Sequence, residues 1–151
     1  ENEDSYSYPL PHDVISLLQK AGEMCDYVLV DCMSDFTRSP LSDIALQSAS
    51  TIIKICGCKY SDLVFYASQN KRTVHFNKAS EYINVIGKLS PYDPLPEVEN
   101  FYKHIDFVLP ERNDFKKIET DGSVFRNPLP KKYDVVIKNI AEKILAEGTD
   151  G

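Results

Sequence analysis

Four short apolar runs, rich in β-branched and aromatic residues, recur along the 151-residue chain and alternate with segments of helical spacing. Continuous apolar runs of this length are typical of strands covered on both faces, the usual state of a parallel sheet. Alternating strands and helices predict right-handed crossovers. We therefore predict an α/β fold with a mostly parallel sheet of about four strands flanked by helices. The predicted strands are Tyr27–Val30, Thr51–Cys56, Tyr82–Ile86 and Ile105–Leu109.

The chain is predicted to form one domain after a short lead-in. Residues 1–12 are acidic, tyrosine-rich and interrupted by two prolines, which is typical of an extended lead-in. Residues 13–147 predict a single α/β domain, and this length can bury one core. The last helix carries an apolar stripe, and its polar face mixes both charges, so we expect it to dock on the sheet rather than on a membrane. The predicted helices cover about 13–22, 41–49, 61–70, 96–103, 111–119 and 131–147, with Asp13 as the cap of the first.

Composition excludes several classes of partner. The net charge of −6 would repel phosphates, so we expect no affinity for nucleic acid or an anionic membrane. No apolar run approaches the length of a membrane span. Cys56 and Cys58 lack the second pair of ligands that structural zinc needs, and all four cysteines are interpreted as reduced thiols of a cytoplasmic protein.

Asp31 is the sharpest candidate for chemistry because it directly follows the first predicted strand. Working residues of open α/β sheets lie at the carboxyl ends of strands. A carboxylate held there suits Mg²⁺, which prefers oxygen ligands. The alternative is an aspartate that ends the strand and caps its own loop. The residues alone leave both interpretations open.

The order of motifs resembles the MinD/ParA class of P-loop ATPases, most closely its CpaE-like branch of pilus assembly. Residues 26–32 read DYVLVDC and resemble the Walker B strand of that class. Residues 44–55 are similar to the helix and strand that follow it in the family. FVLP at 107–110, DGSVF at 121–125 and IAEKIL at 140–145 are similar to its late strand, glycine turn and terminal helix. The resemblance covers nearly the whole chain from residue 13.

The resemblance implies a role for several residues. Asp31 would hold Mg²⁺, and the next four residues would form a switch loop that senses the γ-phosphate. Mg²⁺ and ATP are expected only in a full-length protein, which would position or assemble a cell-surface or pilus machine. The implied switch loop is Cys32, Met33, Ser34 and Asp35, and the implied nucleotide-binding residues are Gly87, Pro110 and Glu111.

Departures from the family pattern limit this expectation. The family needs a glycine loop ending in Gly-Lys-Ser/Thr, whose backbone N–H groups and lysine hold the phosphates, and no such loop precedes Asp26. The chain begins with Glu1 rather than Met, so we expect the C-terminal half of a longer ATPase domain, without catalytic activity alone. Ser50 replaces the family's aspartate, and Gly87 replaces an asparagine near the adenine. These changes fit a degenerate ATPase.

Two other hypotheses stay open. In a receiver-like signalling domain, Asp31 would accept a phosphoryl group, and Lys88 would be the lysine just past the third strand. In a non-catalytic binding module, an uncovered sheet edge would recruit a protein partner or a second copy.

Overall fold

The computed structural model describes residues 9–73, 81–90, 92–93, 95–111 and 129–147. The chain divides into two compact units, and the second begins at Ile53. The helix predicted over 111–119 and the turn at 121–125 fall outside the described residues, apart from Glu111. The helices are α1 (Pro11–Met24), a 3-10 turn (Phe36–Arg38), α2 (Pro40–Ser48), α3 (Tyr60–Thr73), α4 (Leu95–Tyr102) and α5 (Lys131–Glu147). The strands are β1 (Thr51–Cys56), β2 (Glu81–Leu89) and β3 (Phe107–Pro110).

The second unit is built on a three-stranded parallel sheet in the order β1-β2-β3, flanked by helices. This confirms the predicted α/β class. β2 lies in the centre, and its side chains are buried on both faces. On one face Ile83 and Val85 pack with Leu109 of β3 and Ile140 of α5. On the other face Ile86 packs with Val98 and Tyr102 of α4 and with partly buried side chains of α3. Burial on both sides explains why β2 reads as a continuous apolar run.

Gly87 lies inside β2, so the prediction that it ends this strand is wrong. The pairing with β3 changes register here: Ile86 pairs with Val108, and Leu89 pairs with Pro110. β2 therefore has one extra residue at Gly87–Lys88, the pattern of a β-bulge, where glycine is commonly found. A Cβ at position 87 would lie 3.3 Å from Cγ2 of Ile55, so the missing side chain also lets β1 approach.

β3 begins at Phe107, two residues later than predicted, and it includes Pro110, which was expected to lie beyond it. Proline is tolerated at this position because β3 is an edge strand of the described sheet and needs fewer ladder hydrogen bonds. The backbone N–H of Glu111 still donates to the carbonyl of Leu89, at 3.0 Å.

The apolar stripe of α5 docks on the sheet, as predicted. Tyr133, Val136 and Ile144 join the buried Ile140 against the β2–β3 face. Ile137 lies off this contact and is exposed. Among the described residues, no helix is both long and apolar enough to cross a bilayer.

In the first unit α2 packs against both α1 and the 3-10 turn, and Val14, Phe36 and Ala45 are buried. α1 begins at Pro11 rather than Asp13, because proline has the backbone angle and the missing N–H that suit a first helical residue. Leu10 occupies the cap position without a side-chain hydrogen bond, so the prediction of Asp13 as the cap is wrong. α2 matches its prediction within one residue, and Ser39 caps it by accepting the N–H of Ser42 at 3.3 Å.

The strand predicted at Tyr27–Val30 is absent: these residues belong to no strand. Leu29 is 86% exposed, and Tyr27 and Val28 are also exposed. Apolar content alone does not make a strand, because a strand needs a neighbour to complete its ladder of hydrogen bonds. No described segment supplies that neighbour to these residues.

A buried carboxylate attaches α5 to the start of β3. The Asp106 side chain is 8% exposed and accepts a hydrogen bond from Nζ of Lys143 at 2.7 Å. It also accepts the backbone N–H of Asn84 at 2.8 Å, and His104 Nε2 lies 3.1 Å away. Burial by itself raises the Asp106 pKa, but the hydrogen bonds from Lys143, Asn84 and His104 outweigh it, and the net pKa is lowered. The ionised carboxylate therefore stabilises the folded chain.

Replacing Asp106 should show this stabilisation and its pH dependence. We expect Asp106→Asn to lower the free energy of unfolding by about 2 kcal/mol at pH 7, because Lys143 loses a charged acceptor. Since the folded pKa lies below the unfolded value of about 3.9, the wild-type advantage is present above that pH and shrinks as pH falls further. Urea unfolding at neutral and acidic pH measures both.

Asp134→Asn is the matched control, because Asp134 forms an exposed ion pair with Lys138 at 2.8 Å. Surface pairs of this kind contribute little, so this variant should stay within about 0.5 kcal/mol of wild type. Equal losses in the two variants would contradict the role given to Asp106.

Candidate functional site

The carboxyl ends of β1 and β2 are each followed by a turn that an aspartate closes. After β1, Asp62 accepts the backbone N–H of Lys59 at 3.2 Å and the hydroxyl of Ser61 at 3.3 Å. After β2, Asp93 accepts the backbone N–H of Ser90 at 2.7 Å. Both carboxylates thus support their own loops. This edge of the second unit is the position where α/β sheets bind ligands.

At Gly57 the Asp62 carboxylate occupies the space that a Cβ would take. Any larger residue would displace Asp62 from the turn. The sequence prediction that Gly57 stops β1 is confirmed, since β1 ends at Cys56.

Tyr102 connects this edge to α4. Its hydroxyl donates to the carbonyl of Gly57 at 2.9 Å, and its ring packs edge-on against Tyr66, with 4.5 Å between the ring centroids. Burial raises the Tyr102 pKa above its ordinary value, and the neighbouring Cys56 adds to the shift. Tyr102 is therefore a neutral donor that holds the loop after β1 against α4.

Two thiols, those of Cys56 and Cys58, lie at this edge. Burial raises the pKa of Cys56 to about 11, against the opposing effects of Lys54 and Tyr102. Burial, with the nearby charges of Asp93 and Asp62, also raises the pKa of Cys58. Since the thiolate is the nucleophile and the metal ligand, both side chains behave as small apolar groups here. Within the described ranges, no group of three or more His, Cys, Asp or Glu side chains could hold a metal ion.

Asp31 lies in the first unit and is exposed, beyond a segment that is not a strand. The prediction that a buried strand fixes this carboxylate is therefore wrong. Cys32 is half-buried, and its thiol contacts the carbonyls of Val30 and Ser42 at 3.7 and 4.0 Å. Burial raises the Cys32 pKa, and the charge of Asp31 adds to the shift.

The rest of the predicted switch loop is fixed by hydrogen bonds. The backbone N–H of Met33 donates to Oγ of Ser42 at 3.0 Å. Asp35 accepts from Oγ1 of Thr37 at 2.7 Å and pairs with Nε of Arg38 at 3.0 Å. Ser34 is exposed.

The residues implied to bind nucleotide lie on the second unit. Pro110 and Glu111 are at the carboxyl end of β3, where the resemblance expects them, and Glu111 is exposed. Gly87 lies inside β2 beside Ile55. Lys88 also lies inside β2, so its expected position past the strand is wrong.

The first unit has a shallow depression of about 460 Å³ near the start of α2. Its charged side chains already have partners: Arg38 pairs with Asp35, and Asp43 accepts from Gln47 at 2.9 Å. These pairings leave little to attract a charged ligand. The lining residues are Pro11, Thr37, Arg38, Pro40, Asp43 and Ile44.

Sequence reasoning missed Ser42, Tyr102 and Asp106. Ser42 and Tyr102 lie on predicted helices, where serine and tyrosine are ordinary residues. Asp106 did carry a signal, since it interrupts an apolar run in a predicted strand. A buried charge needs a partner, and that rule points to a contact without naming Lys143.

Comparison with known proteins found no family model, curated protein or solved structure that matches this chain. The MinD/ParA resemblance therefore stays a prediction based on the order of its motifs.

Removing the Tyr102 hydroxyl should loosen the loop after β1. We expect Tyr102→Phe to lower the free energy of unfolding by about 1 to 2 kcal/mol, because the hydrogen bond from the Tyr102 hydroxyl to the Gly57 carbonyl is lost. Urea unfolding measures this change. Tyr92→Phe, at a side chain that is 95% exposed, is the control and should leave stability unchanged. A Tyr102→Phe variant as stable as wild type would refute the role of this hydrogen bond.

Proposed function

We propose that this chain is the C-terminal part of a P-loop ATPase domain of the MinD/ParA class, inactive alone and degenerate in its handling of nucleotide. In the full-length protein it acts in positioning or assembling a cell-surface or pilus machine, as CpaE-like proteins do. The observation that carries the proposal is a parallel sheet, covered by helices on both faces, whose β1 edge is unpaired within the described residues.

The free edge of β1 supports the addition of further strands. Ile55 is 70% exposed and Ile53 is also exposed, although both lie in a strand of the sheet. Their side chains point to the same face, since they are two residues apart. An apolar strand at an unpaired edge is a template for another strand. A strand from the P-loop half of the domain would pair with the backbone edge of β1, and the rest of that half would cover the face that Ile53 and Ile55 line.

The exposed run Tyr27–Leu29 supports the same proposal from the first unit. These three apolar side chains and Val30 precede the predicted Walker B aspartate, Asp31. An added strand beside them would supply the ladder of hydrogen bonds that the run lacks. Asp31 would then be held at a strand exit, the position that Mg²⁺ binding requires in this class.

Nucleotide titration tests this proposal. We expect the chain alone to bind Mg·ATP with a Kd of about 1 mM or weaker, because it has no glycine loop to hold phosphates. The protein encoded together with its upstream sequence should bind more tightly. Asp31→Asn should weaken that binding when Mg²⁺ is present and leave it unchanged in EDTA. Isothermal titration calorimetry gives both constants.

Asp43→Asn is the matched control, because Asp43 is a carboxylate of the same unit that bonds to Gln47 on its own helix. It should leave the affinity unchanged. An upstream sequence that lacks Gly-Lys-Ser/Thr, or equal binding by wild type and Asp31→Asn in Mg²⁺, would contradict the proposal.

A second candidate function rests on the same edge. As a non-catalytic module, the chain would bind a protein partner or a second copy through β1. The exposed Ile53 and Ile55 favour this candidate, because apolar residues at an unpaired edge drive association between sheets. In this case the β1 surface would bind its partner without nucleotide.

A charge placed on the β1 edge distinguishes association through this surface from non-specific association. We expect the wild-type chain to self-associate in sedimentation velocity as its concentration rises. Ile55→Lys should shift the midpoint at least about tenfold to higher concentration, because lysine is disfavoured inside an edge-to-edge contact. Leu145→Lys, which puts the same charge at an exposed position of α5, should leave the midpoint unchanged. A monomeric wild type, or equal effects of the two variants, would remove the β1 edge as the contact.

A further inference from the structure

Ser42 is a buried polar residue among the described residues of the first unit, with 2% of its surface exposed. It lies in the first turn of α2, and its N–H donates to the capping hydroxyl of Ser39. Its own hydroxyl oxygen accepts the backbone N–H of Met33 at 3.0 Å. Ser42 thus joins the main chain of Met33, nine positions earlier in the sequence, to α2.

The Cys32–Asp35 loop is also held on either side of Met33. Before it, the Cys32 thiol contacts the carbonyl of Ser42 at 4.0 Å. After it, Asp35 bonds to Thr37 and Arg38, and the following Phe36 is buried. The backbone N–H of Arg38 donates to the Asp35 carbonyl at 3.1 Å. Contacts of Cys32, Met33 and Asp35 therefore join this loop to α2 and the 3-10 turn.

We infer that Ser42 is a positioning residue that fixes the Cys32–Asp35 loop on α2, so that the loop keeps one conformation and does not respond to a nucleotide. A loop that senses a γ-phosphate must move when the phosphate leaves, and moving this one breaks a hydrogen bond to the buried Ser42. The lack of response to a nucleotide rests on the proposed function. The anchoring itself does not depend on it.

The first test is hydrogen exchange of the Met33 amide in the chain without nucleotide. We expect Ser42→Ala to speed this exchange by about five- to tenfold, the effect of losing one hydrogen bond. Alkylation of Cys32 in the folded protein should speed up as well, whereas the exposed Cys25 should react at the same rate in both proteins.

Ser48→Ala is the matched control. It removes another serine hydroxyl from α2, but this hydroxyl donates to the Ile44 carbonyl of its own helix, at 2.8 Å. It should leave Met33 exchange and Cys32 alkylation unchanged. Equal rates in Ser42→Ala and Ser48→Ala would overturn the inference. If Ser42→Ala does not fold, the wild type decides: a Met33 amide that exchanges at its unprotected rate overturns the anchor.

The second test uses the protein encoded with its upstream sequence. Adding Mg·ATP should leave the protection of the Met33 amide unchanged. A loss of protection would overturn the fixed loop. If this protein binds no nucleotide, the proposed function fails, while the exchange rates without nucleotide still decide whether Ser42 anchors the loop.

Discussion

The second unit depends on the burial of β2 on both of its faces. Ile83 and Val85 need a cover on one side, which α5 provides, and Ile86 needs a cover on the other, which α3 and α4 provide. Two opposite covers for one strand require a layered arrangement of helix, sheet and helix. The loops at the carboxyl ends of the strands are placed by this arrangement, including the turn that Tyr102 holds.

The sequence predicted the elements whose partners lie within the described chain, and it was wrong where a partner is missing or a local pattern misled. β2 and α5 bury apolar faces against one another, so their apolar patterns were reliable signals. Tyr27–Val30 has the same composition without a paired neighbour and is not a strand. Gly87 was interpreted as a strand end, but a bulge accommodates it.

The candidate site was harder to predict because its polar side chains act through long-range contacts. Asp62 and Asp93 each close a turn after a strand, and the sequence pattern did not single out either of them. Ser42 gives no signal in the sequence, because its partner is a backbone N–H, which every residue except proline has. The functional features that remain are surfaces, namely the β1 edge and the exposed apolar run before Asp31.

The bond between Asp106 and Lys143 also bears on how the chain is made. It joins residues that are 37 positions apart, and α5 is the last described element to leave the ribosome. Until residues 131–147 have been translated, one face of β2 has no helix over it, and Asp106 has no ammonium partner. The second unit therefore completes its fold late in synthesis, and its unfinished sheet is the species that a chaperone would meet.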